Sequence, residues 1–280
     1  MSKGNVIITG VSTGIGYGAC RSFIQRGYRV FGSVRKEEDA QRLSKEFGAD
    51  YIPLLFDVTD YEAVERASDV VSKHLNGESI DVLVNNSGIA IGGILQYQEM
   101  EEIERHFKVN VFGLMKVTKV FLPLLGAVDG FEGKPGRIIN ISSVAGKFAS
   151  PFVGAYVGSK HAVEGLSQSL RRELLLYGVD VIVVGPGAVK TPIWDKGIKM
   201  EKYKETAYGR TLGRFAKAAK KGGEEGLTIE YLGESIVDIA EKRKPKVRYA
   251  FVPKAISNWH IPRLLPHRLI DRFIKKQLFS

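Results

Sequence analysis

Tyr156 and Lys160 stand four residues apart in the run Ala155-Tyr-Val-Gly-Ser-Lys160. On a helix they would share one face, with an ammonium able to act on a phenol. The chemistry this spacing offers is proton transfer. A phenol with a pKa of about 10 is a poor base at neutral pH, and a fixed positive charge beside it favours phenolate and draws it toward working pH. Tyr-x-x-x-Lys also occurs by chance on ordinary helix surfaces, so the pair needs company. Ser143 supplies a hydroxyl in Asn140-Ile-Ser-Ser-Val-Ala-Gly146.

A nucleotide-binding turn opens the chain. Thr9-Gly-Val-Ser-Thr-Gly-Ile-Gly16 follows a β-rich run and leads into a helical pattern. Gly10 permits a tight turn, Gly14 lets a phosphate approach closely, and Gly16 lets helix and strand pack. Gly10, Ser12, Thr13, Gly14, Ile15 and Gly16 together form a cradle in which the free N–H groups of a helix N-terminus face the anion. The second strand ends Gly32-Ser-Val-Arg-Lys36. An acidic residue there would hold adenosine ribose hydroxyls, but Val34 occupies that place and Arg35 and Lys36 follow. A missing carboxylate beside cations fits the extra 2′-phosphate of NADP(H), with NAD(H) as the other candidate. Asp57 in Phe56-Asp-Val58 ends the third strand within reach of an adenine amine, with Val58 beside it. Asn85-Asn-Ser-Gly88 ends the fourth, and Gly88 lets backbone approach a cofactor. Asn110 falls mid-helix, where Asn is a poor helix former, and taken alone it reads as solvent-facing.

The elements that must position these residues alternate along the chain. Strands are expected at 5–9, 29–34, 51–56, 80–85, 137–141, 179–184 and 247–252, and helical patterns at 15–26, 61–75, 99–122, 154–176 and 230–241. Nearly continuous apolar strands such as Val181-Ile-Val-Val184 suit a parallel sheet covered on both faces, hence an α/β, doubly wound fold with ligands at the carboxyl ends of the strands. Two regions break the pattern. Residues 191–226 are basic and glycine-punctuated after a strand end, where a substrate lid is expected. Residues 253–280 form a basic C-terminal extension carrying Leu269, Ile270, Phe273, Ile274 and Leu278 against Arg268, Arg272, Lys275 and Lys276. That amphipathic stretch reads as a helix packed on the body beside the substrate mouth, with peripheral membrane contact as its rival.

Charge is uneven. The chain of 280 residues carries +10, yet residues 1–198 hold 22 Lys/Arg against 22 Asp/Glu, residues 199–226 hold 8 against 4, and residues 241–280 hold 11 against 2. A basic end on a neutral body suits an acidic substrate, an anionic membrane or a solvated surface. No nucleic-acid motif accompanies it, so no nucleic-acid partner is expected. The apolar run Val6–Ile8 is too short for a signal segment or a membrane span, so a cytoplasmic protein is the expectation, with membrane association as the alternative. No metal site is expected. Cys20, the single cysteine, reads as a buried inert thiol.

Together the motifs resemble the classical short-chain dehydrogenase/reductase family over roughly residues 4–192: the turn at 9–16, Asp57, Asn85-Asn-Ser-Gly88, Asn110, Ser143, Tyr156, Lys160, and Pro186-Gly187 with Thr191. Ser87 departs from the family's usual alanine, a small change. The resemblance implies a single Rossmann-like domain over residues 1–280 with a seven-stranded parallel sheet and helices on both faces. It implies that Tyr156 exchanges a proton with the substrate oxygen, and that Lys160 holds the nicotinamide ribose and lowers the tyrosine pKa. Ser143 would orient the substrate oxygen and Asn110 would support a water in the proton relay. The backbone near Val189 and the Thr191 hydroxyl, beside Pro186 and Gly187, would fix the nicotinamide carboxamide. It also implies a homodimer or homotetramer built partly on the helices after residues 99 and 154.

The expected activity is an NADP(H)-preferring hydride transfer between nicotinamide and a lipophilic secondary alcohol or ketone. Phe148, Phe152, Val153, Trp194, Tyr203 and Tyr208 are candidate mouth residues, and Ser169-Leu-Arg-Arg-Glu-Leu174 together with the lid and tail look like the retinol/17β-hydroxysteroid dehydrogenase branch. The rivals are a reductase of 3-oxoacyl groups on an acidic carrier protein, and a nucleotide-sensing binding protein without significant catalysis.

Overall fold

A strand pattern in which alternate residues must both be buried asks for cover on two sides, and the molecule supplies it. The computed structural model describes residues 2–191 and 200–279. The seven strands are β1 (Asn5–Ile8), β2 (Arg29–Val34), β3 (Tyr51–Leu55), β4 (Val82–Asn85), β5 (Arg137–Ile141), β6 (Asp180–Pro186) and β7 (Arg248–Phe251). They form one sheet in the order β3-β2-β1-β4-β5-β6-β7, every pair parallel. Sheet order reverses between β1 and β4, which opens a crevice at the strands' carboxyl ends.

Strand alternation divides the core. Val6, Ile8, Val30, Val82, Val84, Ile139 and Ile182 pack on one face with Ala19, Cys20 and Phe23 of α1 (Gly14–Gln25), Leu43 of α2 (Glu37–Phe47) and Ile236 of α8 (Ile229–Glu241). Ile7, Phe31, Leu54, Leu83, Ile138 and Val181 point the other way, onto Val64 and Val71 of α3 (Tyr61–Leu75), Val117 and Phe121 of α5 (Leu114–Phe121), and Leu170 of α6 (Gly154–Glu173). Helix α1 crosses α8 at very close range, because a Cβ on Gly18 would stand 2.4 Å from the Ile229 carbonyl oxygen. Burial pushes the Cys20 thiol well above its ordinary range, so it is an inert core residue as expected.

The sequence pattern continuous over 99–122 breaks in the structure. α4 (Met100–Phe107) passes into a π-helical turn (Lys108–Gly113) before α5 begins. Gly113 sits where a Cβ would come 2.7 Å from Val58 Cγ2, so the widened turn lies tight against the end of β3. The described part of the expected lid is helical rather than irregular: a 3₁₀ turn (Met200–Tyr203) and α7 (Gly209–Glu224). The tail holds α9 (Ile261–Leu264) and α10 (His267–Leu278). Leu278 at the end of α10 packs with Ile94, Phe152, Tyr203, Leu212, Tyr208 and Phe215 in a separate aromatic cluster.

Candidate active site

The glycine turn closes the end of β1. Gly10 and Gly14 have positive φ, +72° and +64°, open to glycine and strained for any other residue. A Cβ on Gly16 would meet the Gly10 carbonyl oxygen at 2.2 Å. Thr13 precedes α1 without capping it through its side chain, so the first-turn N–H groups face the crevice free of any such cap. Asn86 Nδ2 donates to the carbonyls of Thr9 (2.8 Å) and Gly10 (3.0 Å), while Thr9 Oγ1 accepts from Asn86 N and Ser87 N, both at 2.9 Å. Thr9 and Asn86 thus lock the turn to the end of β4, a role that sequence reasoning did not assign them. Thr191 comes round from the far side, its Cγ2 3.4 Å from where a Cβ on Gly14 would stand.

At the adenosine end, Arg35 Nη1 lies 3.7 Å from Asp57 Oδ2, and Asp57 Oδ1 accepts from Thr59 N (2.9 Å) and Thr59 Oγ1 (2.8 Å). Arg35 is largely exposed. A second cation was missed from the sequence: Arg42 on α2 donates through Nη2 to the Ser12 carbonyl at 2.9 Å and pairs with Asp39. Its sequence signal was only an ordinary helical pairing, and its reach back over the turn depends on the packing of α2. The Asn85 side chain turns inward, donating to Thr118 Oγ1 (2.8 Å) and Asn140 Oδ1 (2.9 Å). The Asn85 side chain is thus core glue between β4, β5 and α5, and any cofactor contact at Asn85 falls to its backbone. Val58 is likewise buried, as are Val189 and Pro186. Gly187 N donates to the Phe251 carbonyl at 2.8 Å, and the segment around Val189 is pinned by the Leu227 N bond to the Ala188 carbonyl.

The four catalytic candidates converge. The side chain of Asn110 does not face solvent: the π-helical turn aims it inward, where Oδ1 accepts from Ile89 N (2.8 Å) and Nδ2 donates to Ile89 O and Ser159 Oγ, each at 2.9 Å. Such single-turn widenings recur at functional positions. A Cβ on Gly88 would lie 3.1 Å from Asn110 Oδ1 and 3.7 Å from Lys160 Nζ, so the missing side chain is what lets those two groups share one space. Ser143 is the serine that acts on the Tyr156 phenol, its Oγ 3.4 Å from the Pro186 carbonyl and accepting from Ala145 N at 3.1 Å; Ser142 is buried.

The electrostatics of the pair are set by burial. Burial pushes the Tyr156 phenol above its ordinary value, and the Ser143 hydrogen bond pulls it partly back. Burial outweighs the lowering expected from Lys160. Its Nζ stands 5.9 Å from the tyrosine ring centroid and spends a hydrogen bond on the Ile141 carbonyl at 2.8 Å. Burial also lowers Lys160 itself to about 8, with Glu164 one turn further along α6 pulling it back up.

Of the mouth residues, Phe152, Tyr203 and Tyr208 join the aromatic cluster, whereas Trp194 lies outside the described residues. Phe152 and Tyr208 rings meet edge to face at 6.1 Å. Gly93 bridges Val153, two residues before α6 brings up Ala155 and Tyr156, so the cluster stands beside the catalytic helix. The arrangement can hold a dinucleotide along the crevice, with its phosphates on the α1 N-terminus and its reactive ring near Tyr156. It leaves a phenol, an ammonium and a hydroxyl beside an apolar mouth. Among the described residues no cluster could hold a metal ion.

Known proteins share this plan. A protein of Ornithobacterium rhinotracheale named NADPH-dependent 3-dehydrocapnine reductase is 39% identical over 273 residues, covering 97% of this chain and 96% of that one. A short-chain dehydrogenase structure from Streptomyces avermitilis superposes with TM-score 0.80 at 25% identity, covering 98% of this chain and 97% of that one. The structure titled ElxO with NADP bound gives TM-score 0.74 at 26% identity, covering 92% and 100%. The family model described as short chain dehydrogenase matches residues 4–202. With that match falling on the turn, the Asn110–Ser143–Tyr156–Lys160 constellation and strands β1 to β6 of the sheet, the chain belongs to the short-chain dehydrogenase/reductase family and is an NAD(P)-dependent oxidoreductase.

Proposed function

We propose that the protein reduces a lipophilic ketone to its secondary alcohol with NADPH. The observation that carries this reading is the meeting of Ser143, Tyr156 and Lys160 at the foot of the aromatic cluster. When bound, the nicotinamide nucleotide supplies the hydride. Every other task falls to side chains of this chain. Ser143, whose hydroxyl lies beside the Tyr156 phenol and 3.4 Å from the Pro186 carbonyl, donates to the substrate oxygen and fixes its direction. Tyr156, whose phenol is held above its ordinary value, keeps its proton at neutral pH and delivers it to the developing alkoxide. Lys160 places a charge where the nicotinamide ribose hydroxyls would lie, and Asn110 backs it across Gly88. Phe152 and Tyr208 exclude water and bind the apolar body of the substrate, backed by the fully buried Tyr203 and Leu212.

NADPH over NADH is supported by Val34 at the place of an acid, by Arg35 and Arg42 at the adenosine end, and by the cofactor in the name of the Ornithobacterium relative. That relative is named as a reductase of a 3-dehydro compound, which supports a carbonyl substrate here. The cationic face of α7, with Lys217, Lys220 and Lys221, supports a second reading in which the ketone arrives on an acidic carrier protein. A homodimer or tetramer belongs to the same proposal, supported by Phe112 and Leu166, which are exposed on the π-helical turn and on α6.

The test is NADPH oxidation over a panel of ketones of increasing chain length, beside the same 3-oxoacyl groups free and carrier-linked. Rising kcat/KM with apolar length at constant salt sensitivity is expected. A preference for carrier-linked substrate that collapses in high salt would move the assignment to the second reading.

A further inference from the structure

Behind the catalytic residues lies an ion pair that the mechanism above does not use. Glu164, four residues after Lys160 on α6, has a side chain only 3% exposed. Arg248 on β7 donates through Nε to both carboxylate oxygens, at 3.0 and 2.9 Å, and Lys147 from the Ser143 loop pairs with it at 3.4 Å. Arg248 also points Nη2 at the Ser143 carbonyl, 3.4 Å away. Space for that guanidinium is built in: a Cβ on Gly185 of β6 would stand 2.4 Å from Arg248 Nη2. The opposite face of the guanidinium is covered by Trp259 of the tail, 4.7 Å to the ring centroid, and Arg263 stacks on the same ring at 4.6 Å. Burying this carboxylate is costly unless it is paired, and here it is paired from two elements, β7 and the Ser143 loop.

We propose that Glu164 and Arg248 are positioning residues: Glu164 sets a buried negative charge one helical turn from Lys160, Arg248 holds the backbone of Ser143, and Trp259 makes the C-terminal extension a structural part of the active site. Glu164 is the anion that offsets burial at Lys160, while Arg248 and Lys147 balance Glu164. The titratable groups facing Lys160 are Tyr156 and Glu164 on its own helix; those facing Glu164 are Lys160, Lys147 and Arg248. The two legs are separable, since one acts through charge and the other through a hydrogen bond and a stacking contact. The proposal rests on the reductase reading for its effect on turnover, whereas its effect on cofactor binding stands without any substrate.

The experiment follows NADPH binding to the full chain by fluorescence as a function of pH, together with kcat on the best ketone. In the wild type, affinity should fall as pH rises through about 8, where Lys160 loses its proton. Glu164→Gln should move that midpoint down by roughly one unit, and Glu164→Asp, which keeps the charge, should restore most of it. Arg248→Lys keeps a cation and should fold; it should lower kcat about tenfold by loosening Ser143 while leaving the NADPH binding midpoint in place. Trp259→Ala should resemble Arg248→Lys. A folded Glu164→Gln protein with the wild-type midpoint would overturn the first leg, and Arg248→Lys at wild-type kcat would overturn the second. If no ketone in the panel is turned over, the reductase reading fails alone, because the binding midpoints still decide the role of Glu164.

Discussion

Tyr156 and Lys160 carry opposite consequences of one environment. Burial keeps the proton on the phenol and takes it from the ammonium, so the acid form of Tyr156 outlasts the charge on Lys160 as pH rises. The reductive kcat/KM for NADPH should therefore fall above about pH 8 through loss of the ribose contact, and not through loss of the proton donor. A pH–rate profile checks this, and a rate still climbing toward pH of about 10 would reverse the assignment. Both residues were legible from a four-residue spacing. Their pKa values were not, because the sequence shows that an ammonium can face a phenol but not that its Nζ turns to the Ile141 carbonyl. Asn110 makes the same point more sharply. Helix propensity placed it in solvent, and only the widening of its turn, which propensity does not announce, carries it to Ile89 and Ser159.

Elements that lie in sequence order around the crevice were read nearly to the residue, since apolar runs bounded by glycine turns leave few alternatives. What escaped depends on packing between elements. α2 has a thin apolar face, Ala40 and Leu43, and was not among the expected helices; with it went Arg42 and its bond to Ser12. Arg35 and Arg42 approach the adenosine end from two elements, the loop after β2 and α2. Arg35→Ala should raise KM for NADPH about tenfold and barely change KM for NADH, as expected for loss of one charge-assisted contact to a phosphate. Arg42→Ala should add to that effect and also loosen the turn at Ser12, raising KM for both cofactors. Steady-state kinetics with each cofactor decides; equal effects of Arg35→Ala on the two would return Arg35 to a solvated ion pair with Asp57.

On the scale of the whole molecule, the positive excess visible in the sequence acquires a shape. Ile256, Ile261, Leu264 and Phe273 are exposed along a tail that also carries Arg263, Arg268, Arg272, Lys275 and Lys276, while Leu278 anchors the end of α10 in the aromatic cluster. The end of α10 packs on the body as expected, and we propose that its outer side contacts a membrane surface. No helix among the described residues is long and apolar enough to cross a membrane. Apolar side chains flanked by cations suit the surface of an anionic bilayer. The full chain should pellet with vesicles rich in anionic lipid more than with neutral ones, and Leu264→Asp with Phe273→Asp should abolish the difference. Equal pelleting of wild type and variant would leave those residues as ordinary solvated surface.

The measurement that reaches the central claim most directly is Tyr156→Phe, assayed for NADPH binding and for ketone reduction in the same preparation. Removing one hydroxyl leaves the cradle at Gly10–Gly16 and the hold of Lys160 intact, so the account predicts an unchanged Kd for NADPH and a kcat reduced roughly a thousandfold. A variant that binds NADPH and turns over at the wild-type rate would show that the proton comes from elsewhere, and the assignment of this site would fall.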